Sequence, residues 1–288
     1  MFDIRYHIAS LVAVFLALTV GILLGSVIVD KGVLVEQQKA LVEGLENRLD
    51  DLQGKNQTLL RENNSLKLFQ EEALSVINGK LDEKKVAVVI TTSIPVDDQN
   101  SLVDTLDQAG ASTCVIAANN LADKFKESGI RKKLSKYFPE EDLSKDELWA
   151  KVLEKLSTEI ITPSDRTFIN EMANLDVIRI SGSGNLPADQ VVVYGGSQKD
   201  NNSAKDFDVP FIIKLKELNI RIIGIEQSDI RTSYIESYQN EGISTIDNID
   251  QNAGKISLVH VLAGEDGRFG IKSTSEKLIP PLGQQPKD

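Results

Sequence analysis

The chain has 288 residues, of which 41% are hydrophobic and 26% charged, and its formal net charge is −11. That length admits one or two domains with a sizeable core, and an acidic balance without a long basic run speaks against a nucleic-acid footprint. The single cysteine, Cys114, excludes an internal disulfide and leaves the compartment open.

Residues 8–29 read IASLVAVFLALTVGILLGSVIV, a run of 22 residues without a charge. At ~1.5 Å per residue this spans roughly the 30 Å hydrocarbon core of a bilayer. The run exceeds the ~7–15-residue apolar stretch of a cleaved signal peptide, and no A-x-A pattern follows it. An uncleaved transmembrane signal anchor is therefore expected, with residues 1–7 as a short tail. Arg5 and the α-amine flank one end, while Lys31, Lys39 and Arg48 flank the other, so charge does not decide orientation. Before the anchor, Tyr6 suits the headgroup region and Arg5 can snorkel; a specific contact through Asp3, Arg5, Tyr6 and His7 is the other reading. Gly21 and Gly25 form a G-x-x-x-G pair that lets two helices approach closely, although glycine is also simply common in membrane helices.

A coiled coil is expected over residues 34–78. Its a positions are Val35, Val42, Leu49, Asn56, Asn63, Gln70 and Ile77; its d positions are Gln38, Leu45, Leu52, Leu59, Leu66 and Ala73. A 3.5-residue repeat implies left-handed supercoiling, and asparagine at a (Asn56, Asn63) favours an in-register parallel pair. The expected product is a homodimer joined through stalk and membrane helix. One long helix packed on its own domain is the alternative.

After Asn78-Gly79 the pattern turns to apolar strands alternating with helices. Strands are expected at 85–91, 113–117, 177–180, 190–194, 220–225 and 243–246. Helices are expected at 97–109, 143–160, 209–218, 230–239 and 253–263, with a polar, lysine-rich stretch at 121–137. Ser144 and Glu147 form a capping box, and Thr162 with Pro163 reads as the start of a further helix. This alternation predicts a three-layer α/β domain with a mostly parallel sheet over 85–275, and a loose tail at 276–288.

Few motifs carry chemistry. Gly182 and Gly184 follow a strand, but Pro187 replaces the third glycine of a dinucleotide loop, and too few residues follow for a crossover helix; a turn is expected. Gly195, Gly196 and Ser197 follow the strand VVVY, where α/β proteins often bind ligands; they are either a ligand loop or another turn. Asp97 and Asp98 read as helix-capping residues before proton acceptors. Lys124 to Lys136, followed by Glu140, Glu141 and Asp142, reads as a solvated helix, with a patch for anionic envelope polymer as the alternative. His7 and His260 are the only histidines, which excludes H-E-x-x-H, and neither G-x-S-x-G nor a P-loop occurs. No catalytic residue and no cofactor is assigned, and a non-enzymatic protein is expected.

The N-terminus MFDIRYHIASLVAVFLALTVGILLGS resembles that of the MctB family, named for a copper transport outer membrane protein. The resemblance continues to GEDGRFGIKS (264–273) and Leu278-Ile279-Pro280, and so covers essentially the whole chain. It implies an envelope protein with a cytoplasmic N-terminus and an extracytoplasmic domain, and a role in copper homeostasis. Some similar actinobacterial proteins, of the SteB type, act in cell division with a partner called SteA and are implicated in controlling peptidoglycan hydrolysis. Copper sites use thiolate, thioether or imidazole, and beyond the N-terminal residues the donors are Cys114, Met172 and His260, without ligand spacing. One apolar helix also supplies no polar path through a bilayer. Three functions are therefore weighed: an envelope scaffold or regulator in division or wall remodelling, copper handling, and a ligand-sensing α/β domain.

Overall fold

The computed structural model describes residues 4–139, 143–163, 165–199 and 203–281, without the side chains of 27–34, 67, 69–71, 73, 74 and 203. Met1 and Asp3, the Lys31 side chain, the heptad side chains of Gln70 and Ala73, the acidic Glu140, Glu141 and Asp142, and tail residues 282–288 lie outside the described residues. The chain divides into two compact units, Met1–Leu68 and Phe69–Asp288.

Helix α1 (Ile4–Leu74), 71 residues long, supplies all the described residues of the first unit. Its Ile4–Ser26 segment is long and apolar enough to cross a membrane. Within it, the Thr19 hydroxyl donates to the Phe15 carbonyl at 2.6 Å, which satisfies the one side-chain hydroxyl near mid-span. Further along, Lys55 and Asp51 pair at 2.7 Å one turn apart. Gly44 and Gly54 are carried within the helix with open space around them. The heptad residues Leu45, Leu52, Leu59 and Leu66 are 58–64% exposed in the single chain.

The last expected a position does not belong to that stripe. Helix α1 ends at Leu74, Ser75–Ile77 is a 3₁₀ turn, and Ile77 is fully buried in the core of the second unit. Gly79, at φ +70°, turns the chain, and the Leu81 amide donates to the Ala109 carbonyl at 2.7 Å. The globular core therefore begins with Ile77 and Leu81, upstream of residue 85.

The second unit contains seven strands and eight helices among its described residues: β1 (Lys85–Ile90), α2 (Val96–Gln108), β2 (Ser112–Ala117), α3 (Leu121–Lys124), α4 (Ser128–Leu134), α5 (Lys145–Ile161), α6 (Thr167–Asn174), β3 (Arg179–Gly182), β4 (Gln190–Tyr194), α7 (Asp208–Glu217), β5 (Arg221–Ile225), α8 (Ile235–Asn240), β6 (Ser244–Ile246), α9 (Asn252–Leu262) and β7 (Arg268–Phe269). The sheet order is β3-β2-β1-β4-β5-β6-β7, and every pairing is parallel except β2 with β3. Side chains alternate between two cores. Ala87, Val89, Val191 and Val193 face a core shared with α5, α6, α7 and α8; Val86, Val88, Val192 and Ile223 face one shared with α2 and α9. Strands buried on both faces read as unbroken apolar runs for that reason.

Local chemistry explains the boundaries and the departures from expectation. The capping box is formed: Glu147 N donates to Ser144 Oγ, and Ser144 N donates to Glu147 Oε2 at 2.9 Å. Thr162 does not start a helix. Its hydroxyl donates back to the Thr158 carbonyl at 2.7 Å, ending α5, and α6 begins only at Thr167 after Arg166 at φ +57°. The buried carboxylate of Glu159 takes over as acceptor for the amides of Phe168 (3.3 Å) and Ile169 (2.9 Å). Asp97 and Asp98 lie in the first turn of α2 rather than at its cap, where Pro95 stands, and there they complement the helix dipole. Helix α8 starts at Ile235, later than expected, because Thr232 is drawn into a bridge with Ser197.

Strand β3 lies two residues later than expected and runs antiparallel, so it ends at the edge of the sheet where β4 begins and needs no crossover helix. Gly182 and Gly184 allow this close pass: a Cβ at Gly182 would lie 2.4 Å from the Thr113 carbonyl, and one at Gly184 2.6 Å from Ser112 backbone. The segment 276–281, expected to be loose, is held instead. The Glu276 amide donates to Arg268 O at 2.9 Å, Lys277 O accepts from Gly270 N at 2.9 Å, and Pro280 is buried.

Replacing Glu159 with alanine strands two buried amides. The full chain in detergent should lose about 2–4 kcal/mol of stability in a urea titration followed by near-ultraviolet circular dichroism, and Glu159→Gln should recover part of it.

Candidate functional site

Strand order decides where a ligand can enter. The chain leaves β1 toward one edge, over one face by way of α2, and leaves β4 toward the other edge, over the opposite face by way of α7. Between the carboxyl ends of β1 and β4 the connections diverge and open a crevice, the usual ligand position in such sheets.

Three side chains meet there. Thr91 follows β1, Asp208 opens α7, and Tyr238 comes from α8. The Thr91 hydroxyl lies 2.9 Å from Asp208 Oδ2 and 3.1 Å from the Tyr194 carbonyl. The Tyr238 hydroxyl donates to the same Oδ2. Asp208 is buried, and burial pushes its carboxyl up to about 7, against the opposing pull of the Tyr238 and Thr91 hydroxyls. Burial, and then the charge of Asp208, pushes the Tyr238 phenol well above its ordinary value, so it remains a donor.

Gly195 makes room for this triad. A Cβ there would lie 1.8 Å from the Tyr238 hydroxyl and 2.7 Å from Asp208 Oδ2. The Gly195–Gly196–Ser197 segment is buried: Gly195 N donates to Ile225 O at 3.0 Å, and Ser197 exchanges backbone bonds with Thr232 at 2.9 and 2.8 Å. It forms a wall behind the triad rather than an open loop.

On the open side of Asp208 lies a cleft of about 430 Å³. Phe125, Trp149 and Phe207 form an aromatic surface, with ring centroids 4.6 Å apart for Phe125–Trp149 and 6.1 Å for Trp149–Phe207. The Trp149 indole donates to the Asp206 carbonyl at 3.0 Å and is fixed by it. Lys126, Lys145 and Lys205 also line the cleft, with Asp123, Asp146 and Asp206; among these, Lys126 and Asp123 pair at 2.7 Å.

Two more buried carboxylates stand at the same edge of the sheet. Glu226, after β5, accepts from Ser233 Oγ at 2.6 Å, Tyr234 N at 2.8 Å and Lys272 Nζ at 2.5 Å. Asp247, after β6, accepts from the amides of Ile271 (2.7 Å) and Lys272 (3.1 Å) and from Ser275 Oγ at 2.5 Å. The motif GEDGRFGIKS is the other half of this clasp. Gly270, at φ +139°, passes where a Cβ would meet the Asp247 carboxylate. Beside them, Lys255 donates to Ser101 Oγ in a cavity of about 60 Å³ that Asp98 and Asp250 also line.

The copper-donor residues are not brought together. Cys114 on β2 and Met172 on α6 are buried in the core on one face of the sheet, and burial pushes the thiol up, away from thiolate. His260 on α9 lies on the other face. Its Nε2 is 3.3 Å from Lys80 Nζ, and burial and that ammonium hold its pKa down. Among the described residues, no three histidine, cysteine or acidic side chains converge as a metal-binding group.

The sequence reading did not single out Asp208, Tyr238, Glu226, Asp247 or Lys272. A signal was present for three of them: each carboxylate abuts an apolar run, in IIGIE, STID and DVPFII.

Residues 1–280 match the family model described as "Copper transport outer membrane protein, MctB". No curated protein matches the chain.

Asp208 sets a pH dependence. Its folded-state pKa lies above the ordinary 3.8, so the folded protein holds a proton the unfolded chain has released. This contribution is fully present below about pH 4 and is lost as pH rises through about 7, with an upper bound on the order of 4 kcal/mol. Asp208→Asn should flatten the fall in stability between those limits, measured by urea titration across pH.

Proposed function

The chain belongs to the MctB family, and from that premise we propose that it is a membrane-anchored, non-enzymatic scaffold or regulator of the cell envelope. In this reading the N-terminus is cytoplasmic, α1 crosses the membrane once, and a parallel two-stranded stalk presents the α/β domain outside. The partner is a division or wall-remodelling factor of the SteA-like kind.

One observation carries the reading: the apolar heptad stripe on α1 lies exposed in the single chain, with Val42, Leu45, Leu49 and Leu52 53–62% accessible. A stripe of that periodicity is stabilised when a second helix covers it. Asn56 and Asn63 would then pair across the seam and fix its register, and Gly21 and Gly25, with open space where a Cβ would stand, would let the membrane segments close up.

The family description favours a second reading, copper transport or copper homeostasis. The available donors suit that cargo poorly: Cys114 and Met172 are locked in a core, and His260 lies on the other face of the sheet. A passing ion would need ligands outside these three.

Cross-linking of the full-length protein in cells, followed by mass spectrometry, should return a homodimer and an envelope partner. Leu52→Cys should form a disulfide-linked dimer under oxidation, and Leu45→Lys with Leu59→Lys should give a monomer in detergent. A wild-type protein that sediments as a monomer would overturn the stalk. In a deletion strain, changed copper content with normal division would favour the copper reading instead.

A further inference from the structure

The cleft beside Asp208 is a built pocket that the scaffold role does not use. We propose that it binds a small zwitterion, a free amino acid or short peptide, with the ligand's ammonium on the Asp208 carboxylate and its carboxylate on Lys145 and Lys205.

The chemistry of the walls selects this class. At the closed end, Asp208 offers an acceptor already ordered by two hydroxyls, Thr91 at 2.9 Å and Tyr238, and among the described residues no cation pairs with it. A buried carboxylate without a counter-ion gains most from an ammonium, because desolvated charge pairs interact strongly. At the open end the three lysines and three aspartates come close to cancelling. Lys126 is already engaged by Asp123 at 2.7 Å, which leaves Lys145 and Lys205 as the ammoniums for a ligand carboxylate. A polyanion would meet Asp146 and Asp206 there, and a bare cation would meet the lysines. Between the two ends, Phe125, Trp149 and Phe207 supply an apolar surface for a side chain. The volume, about 430 Å³, is of the order that small ligands occupy. The pocket also sits where the two halves of the sheet diverge, with Asp208 at the start of α7 and Thr91 after β1.

The proposal is independent of whether the stalk pairs. Its test is calorimetric titration of the full-length protein in detergent with L-leucine and L-alanyl-L-leucine, alongside acetate and methylammonium as half-ligands. Saturable binding of either zwitterion below ~10 mM, at least tenfold tighter than both half-ligands, is expected. The free amino acid binding better would identify a metabolite site, and the dipeptide binding better a peptide site; both support the proposal. Asp208→Asn should abolish binding. Lys145→Ala with Lys205→Ala, two exposed positions that leave the core untouched, should weaken the zwitterion at least tenfold while leaving methylammonium unchanged. Affinity should fall by up to tenfold for each pH unit below about 7, as Asp208 takes up its proton in competition with the ligand; the other titratable groups around it are Tyr238, Lys126, Lys145, Lys205, Asp123, Asp146 and Asp206. No saturable heat with either zwitterion, half-ligands that bind as well, or binding unaffected by the double lysine variant would overturn the proposal.

Discussion

A parallel sheet buried on both faces is the constraint from which the rest of the globular unit follows. Because β1, β4 and β5 point apolar side chains both ways, each needs a helix on either side, and polar groups have nowhere to go except the ends of the strands. Three acidic side chains, Asp208, Glu226 and Asp247, duly stand beyond the carboxyl ends of β4, β5 and β6. Their neighbours differ, and so do their roles. Asp247 and Glu226 are saturated by amides, hydroxyls and the Lys272 ammonium, and they tie the C-terminal loop to the sheet. Asp208 has two hydroxyl donors and faces a cleft. The same position in the fold thus serves as a clasp on one side of the sheet and as an open site at its centre.

Glycine placement makes this crowding possible. Gly195 and Gly270 each pass a carboxylate at a distance that no side chain would survive, one beside Asp208 and the other beside Asp247. Neither glycine is there to bend the chain alone. They let the backbone close over charge, which is the condition for keeping that charge dry and its partners fixed.

Much of the architecture was legible in the sequence, because strand burial and helix amphipathicity both leave periodic traces. The runs KVAVVI, QVVVY and RIIGI sit within one residue of their strands, and the Ser144–Glu147 capping box forms as spelled. What escaped was set by tertiary partners rather than by local pattern. Thr162-Pro163 carries the letters of a helix start, yet α6 begins four residues later than those letters allow, where a buried glutamate from α5 accepts from amides of its first turn. Strand β3 turned antiparallel because β2 offered its free edge, which no periodicity encodes. Asp208 was missed for a related reason: an aspartate opening a helix looks like an ordinary capping residue, and only the arrival of Tyr238 and Thr91 from distant segments gives it a role. The heptad stripe is the converse case, plain in the sequence, with its described leucines exposed in the single chain.

Trp149 is the only tryptophan in the chain, and it sits in the wall of the Asp208 cleft with its indole N–H fastened to a backbone carbonyl. Ultraviolet emission from this protein therefore originates next to that cleft, apart from the tyrosine background. Whatever enters, whether solute, lipid headgroup or partner side chain, alters the polarity around one indole. The fold thus carries its own unlabelled optical probe, so occupancy can be followed in membranes and in whole-envelope preparations where no dye could be attached selectively.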